Sequence, residues 1–149
     1  MSARRLSQAA IGQMKFLVDA NVLSEATKPR PSNAVLKWIA QHETELAVNP
    51  IILGELEYGI LLLPSGKRRE RLVRWFGSGV KYLPLIELDA GTGREWARLL
   101  AELKGKGRAM PVKDSLLAAT ARQHRLTVAT RNSSDFLHAG VKVVNPFES

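Results

Sequence analysis

The chain has 149 residues, 45% of them hydrophobic, and a formal net charge of +8; it suits one globular domain around one core, not a disordered tail. It has no cysteine, which excludes disulfides, zinc–thiolate sites and thiol nucleophiles and fits a reducing cytoplasm, and no run has the length of a membrane span. The positive balance favours a polyanionic partner, nucleic acid or an acidic protein, though solubility is served by net charge too.

Residues 1–13, MSARRLSQAAIGQ, carry no convincing pattern. They read as a disordered leader, or Met14 is the true start; the domain then occupies 14–149. Strands are predicted over 16–18, 46–48, 82–88, 126–129 and 141–144. Ser32 and Asn33 offer a cap to a helix carrying Val35, Leu36, Trp38 and Ile39. Pro50 opens a second, with Leu53, Leu56, Ile60 and Leu63 at helical spacing. Further helices are predicted over 67–76, 89–103 and 114–124, the last with Ala118, Ala119 and Ala121 permitting close packing. Strands alternating with helices indicate an α/β sandwich with a mainly parallel sheet.

The segment KFLVDANVLSE poses a specific problem: a buried strand ends on Asp19, and a carboxylate at a core edge is costly unless compensated. In a parallel sheet, ligands sit beyond the carboxyl ends of the strands. Asp19 is there; Asn132 and Asp135 follow the strand LTVATR, Asp114 starts a helix, and Glu55 lies early in the helix after 46–48. These acids are expected on one rim. Singly, each has a plainer role: Asp19, Asp114 and Asp135 as helix or turn caps, Asn132 in an Asx-turn, Glu55 on a solvated face. Glu55 and Glu57 flank the apolar stripe, and periodicity does not choose between them. As a set the carboxylates repel one another, and a hard divalent ion, Mg2+ or Mn2+, relieves that conflict with all-oxygen ligands.

His42, His124 and His138 lack metal-ligand spacing, and no serine sits in a nucleophile elbow. Basic residues cluster in GKRRERLVRWF and again at Lys104, Lys106, Arg108 and Lys113 before Asp114. An acidic metal centre in a basic surface suits phosphodiester hydrolysis, with cations on the backbone and the metal at the scissile phosphate. A solvated face or loop is the competing role for both clusters. Trp38 and Trp75 sit at helical spacing, which favours core over base stacking.

The ordered pieces VDANVLSE, KPRP, LGELEYGI, LPSGKRRERLVRWF, PVKDSLLAATARQHRLTVATRNSSDF and VVNPFES resemble the PIN-domain ribonucleases, and among them the VapC-type toxins of toxin–antitoxin pairs, especially the FitB-like branch. The resemblance implies an α/β/α fold with a parallel sheet and an acidic cluster that binds Mg2+ or Mn2+ and cleaves RNA. It implies Asp19 and Asp114 as main metal ligands, selects Glu55 over Glu57, and gives Asn21 the task of bracing Asp19. Some relatives carry an acid where Asn132 stands; others have TRN with an acid three residues on, as Asp135 is. Asp135 is thus taken as the acid and Asn132 as its hydrogen-bonding neighbour. The implied partners are an antitoxin, a second copy in a homodimer, and DNA only through the antitoxin. The rival from another class is an antitoxin-bound module in a repressor complex with little nuclease activity. A phosphatase or phospho-receiver built on Asp19 is disfavoured, since such phosphatases usually want a second acid where Asn21 stands.

Overall fold

The computed structural model describes residues 4–148. Its central sheet has four parallel strands in the order β3-β2-β5-β6: β2 is Phe16–Val18, β3 Leu46–Ala47, β5 Thr127–Ala129 and β6 Val143–Val144. Leu17 pairs with Ala47 on one side and Val128 on the other. A strand flanked on both edges is covered on both faces in such a sheet, so its sequence is continuously apolar. Leu17, Val18 and Val128 are accordingly fully buried.

The strand predicted over 82–88 forms only at β4, Pro84–Leu85. A tight helical turn, Val80–Tyr82, takes up its start, and Pro84 has no N–H to give a ladder. Around it the chain still pairs: Val48 N donates to Pro84 O (2.9 Å), and Ile86 N to Val48 O (2.8 Å). The sheet therefore continues past β3 to β4 and on to β1, Arg4–Arg5. Residues 4–11, expected in a disordered leader, are held instead. Leu6 N donates to Leu85 O (3.1 Å), and Ser7 caps α1, Gln8–Ile11, whose Ile11 is buried in the core. An open strand edge and one apolar anchor order them; residues 1–3 of the leader lie outside the described residues.

Most of the helices start where the sequence places them. Asp19 precedes α2, Ala20–Leu23; Ser32 caps α3, Asn33–His42; Asn49 caps α4, Pro50–Leu61, with proline in its first turn. The basic helix α5 is Lys67–Ser78. Asp89 and Thr92 form a capping box on α6, Ala90–Gly105. A short connection returns the chain into α7, Val112–His124. Arg122 binds Glu95 and Glu102 across the α6–α7 contact, and Trp96 Nε1 donates to Ser115 Oγ (2.9 Å). Ala118, Ala119 and Ala121 are buried, as close packing requires. Trp38 is core, edge-on to Phe16.

Candidate metal and RNA site

Topology places the acids. Every strand of the central sheet runs the same way, so β2, β3 and β5 end at one rim. Since α7 leads directly into the start of β5, its own first turn lies back at that rim. Asp19 follows β2, Asn132 follows β5, Glu55 rises from α4 after β3, and Asp114 stands in the first turn of α7. Asp114 is therefore not the N-cap; Pro111 holds that position.

Asp19 is 2% exposed. Its Oδ1 accepts from Ala20 N (2.8 Å), so it does cap α2. Its Oδ2 accepts from Thr130 Oγ1 (2.8 Å) and from Asn21 Nδ2 (3.4 Å). Asn21 also bridges the two strand ends, donating to Thr130 Oγ1 (3.3 Å) and accepting at Oδ1 from Arg131 N (3.1 Å). The cost of burying Asp19 is thus met by donors from two chain segments 111 residues apart.

Asp114 has no such donors and is buried nonetheless. Burial pushes its carboxyl above the ordinary value; Lys113 pulls it down, and the negative charges of Asp19, Asp135 and Glu55 push it up. The other three acids of the predicted set therefore all act on Asp114. Lys113 answers them: its ammonium is ion-paired with Glu55 and stands 3.8 Å from Asp114 Oδ1. Burial would lower its pKa, but the Glu55 pair and the charges of Asp19 and Asp114 hold it above the ordinary value. No three acids or histidines among the described residues close into an ion cage.

Two hollows flank the acids. A groove of about 460 Å3 is walled by Leu56, Ile60, Leu63 and Trp75, with Asn21, Glu55 and Lys113 also in its lining. A smaller hollow of about 330 Å3 is lined by Arg108, Met110, Ser134, Asp135 and His138. Asp135 is exposed and Asn132 borders the groove, so these two residues serve different sides. Arg108 and Lys113 adjoin the acids; Lys104 and Lys106 are exposed at the end of α6. The connection from α6 to α7 is tight: Gly107 takes a positive φ of 67°, and Arg108 N donates to Leu103 O (2.8 Å).

Three residues escaped the sequence reading. Thr130 is fully buried and supports Asp19, Asn21 and Asn132, whose N–H donates to its Oγ1 (3.1 Å). Its signal was available: it ends β5 as Asp19 ends β2. Asn49, fully buried, ties α4 to α7 by donating to Thr120 Oγ1 (3.1 Å). Glu25, also buried, accepts from Ser32 N (2.8 Å) and pairs with Lys28, pinning the KPRP segment. The distal VVNPF motif closes over the end of β5, where Arg131 lies 4.7 Å from the Phe147 ring centroid.

Comparison with known proteins agrees with this architecture. The model of the PIN domain matches residues 16–142. The chain is 38% identical over 137 residues to the VapC ribonuclease Y4jK of Sinorhizobium fredii, covering 89% of this chain and 98% of that one. It is 34% identical over 138 residues to toxin FitB of Neisseria gonorrhoeae, with 89% and 98% covered. The crystal structure of FitAcB from the same organism superposes with a TM-score of 0.81 at 30% identity, over 90% of this chain and 99% of that one.

Proposed function

The chain belongs to the PIN-domain family, and on that footing we propose that it is a Mg2+- or Mn2+-dependent endoribonuclease, the toxin of a toxin–antitoxin pair. The observation that carries this is Asp114: a buried carboxylate with three other acids acting on it at the carboxyl rim of a parallel sheet. Relatives bearing the names VapC ribonuclease and toxin supply the reaction class.

The donor set fits a hard cation, since it is all oxygen and its mutual repulsion calls for positive charge. Asp19 and Asp114 would hold the ion. Bound there, it supplies Lewis-acid activation of water near neutral pH and neutralises charge at the phosphate. The chain's own groups do the rest. Thr130, Ala20 and Asn21 fix the Asp19 carboxylate through the bonds described above. Glu55 or Asp135 orients the attacking water or takes its proton, and Asn132 positions the water or its neighbour by hydrogen bonding. Arg108, with Lys104, Lys106 and Lys113, draws the RNA backbone to the rim. In-line attack on phosphorus forms a new P–O bond and breaks the bond to the 3′ oxygen, which takes up a proton. The products carry 5′-phosphate and 3′-hydroxyl ends.

The apolar groove beside Glu55 suits an antitoxin segment. DNA is reached through that antitoxin, and the exposed Leu61 and Leu62 suit a homodimer contact. No helix among the described residues is long and apolar enough to cross a membrane; the cytoplasm, where RNA is available, is the proposed site of action. Incubating antitoxin-free protein with total RNA tests the reading. Cleavage should appear with Mg2+, stop with chelator, and vanish in Asp19→Asn and Asp114→Asn variants that keep their circular dichroism. Undiminished cleavage by both variants would remove these acids from the reaction, and absence of metal-dependent cleavage by the parent would favour the antitoxin-bound binding module.

A further inference from the structure

Glu55 and Lys113 come from different helices, α4 and α7, and meet at the acidic rim. An exposed ion pair contributes little to stability, about 0–1 kcal/mol. This pair has another consequence, because of where it lies. Its ammonium is 3.8 Å from Asp114 Oδ1 and its charge acts on Asp19 as well. It thus faces three of the four acids that a divalent cation would face. The Lys113 side chain is 42% exposed, against 10% for Asp114. It sits on a flexible four-carbon stem, so it can swing away while α7 and Asp114 stay in place.

We propose that Lys113 is a positioning residue that serves as the internal counter-cation of the acidic rim: it holds Glu55 and the aspartates together in the ion-free protein, and a divalent cation gains Glu55 only by displacing it. The inference rests on the metal-dependent reading above. Lys113 therefore weakens divalent-ion binding, and removing its charge strengthens it.

The test is Mn2+ titration of the full chain without antitoxin, read by calorimetry and by the free-ion electron paramagnetic resonance signal at constant ionic strength. Lys113→Met, which keeps most of the stem, should tighten Mn2+ binding by about 5- to 150-fold, the usual span of coupling between competing or linked ligands. Lys113→Gln is the second variant should the first fold poorly, and it should shift the same way. Lys113→Arg should bind like the parent. Lys37→Met, on an exposed position of α3, should leave the affinity unchanged. In a Glu55→Gln background the gain from Lys113→Met should shrink. Without metal, Lys113→Met should melt lower than the parent, and Mn2+ should raise its Tm more. Unchanged Mn2+ affinity in Lys113→Met and Lys113→Gln, with Asp114→Asn abolishing binding, overturns the role of Lys113 and leaves the metal site standing. Equal tightening in Lys37→Met overturns it as a bulk charge effect. No Mn2+ bound by any form removes the metal site itself, and this inference with it.

Discussion

Thr130→Val replaces a buried hydroxyl with a methyl of the same shape, at a strand end where valine is a good β former. Volume and backbone preference are preserved, so the change isolates hydrogen bonding. The parent hydroxyl donates to Asp19 Oδ2 at 2.8 Å and accepts from Asn132 N at 3.1 Å and Asn21 Nδ2 at 3.3 Å. A bond to a buried carboxylate contributes about 1.5–3 kcal/mol, and a neutral one about 0.5–1.5 kcal/mol. Counting the carboxylate bond and one neutral bond gives a loss of about 2–4.5 kcal/mol, a large share of the about 5–15 kcal/mol a domain has. Urea unfolding of the metal-free protein measures it, as a lowered midpoint at unchanged slope. Thr130→Ser restores the hydroxyl and forfeits one methyl, about 0.8 kcal/mol. The serine variant should therefore be the more stable of the two by about 1 kcal/mol or more. If valine equals or exceeds serine in stability, Thr130 does not support Asp19 as described.

Two other perturbations test the surrounding frame. Burial holds His124 below the ordinary histidine pKa, with Asp89 partly opposing. The unfolded chain then binds the extra proton first, so its contribution is intact above about pH 6.5 and is lost as pH falls below that value. His124→Gln should flatten this part of the profile in denaturant midpoints at about pH 7.5 and about pH 5.5, and an unchanged slope would contradict the burial argument. Arg122→Met removes the bonds to Glu95 (2.9 Å) and Glu102 (2.7 Å) that join α6 to α7. Glu102 is half exposed, so most of the effect belongs to Glu95; a loss of about 1 kcal/mol is expected, smaller in high salt. A salt-independent loss would assign Arg122 to packing alone.

What was legible in the sequence had a local cause. Asp19 stood out because an apolar strand stopped on a charge. Ser32, Pro50 and Asp89 marked helix starts because capping is chemistry within four residues. Placing Glu55, Asp114 and Asp135 near Asp19 needed one further rule, that parallel strands present one rim. What stayed hidden depended on contacts distant in sequence. Thr130 looks like any polar residue after a strand until Asp19 lies opposite it. The expected strand over 82–88 had the right apolar content, but Pro84 and the turn before it left only two residues in the ladder. Residues 4–11 carry no periodicity, yet an open edge at Leu85 suffices to order them. Lys113 reads in the sequence only as one of the basic residues before Asp114, since its partner Glu55 is 58 residues away.

The central claim is that the acids of this rim hold a hard cation and hydrolyse RNA by in-line attack. End-mapping of a labelled single-stranded RNA, cut by antitoxin-free protein in Mg2+ and again after chelation, tests it most directly. The account predicts 5′-phosphate and 3′-hydroxyl ends, absent once the ion is removed. Cuts that persist in chelator, or that leave 2′,3′-cyclic phosphate, would contradict it.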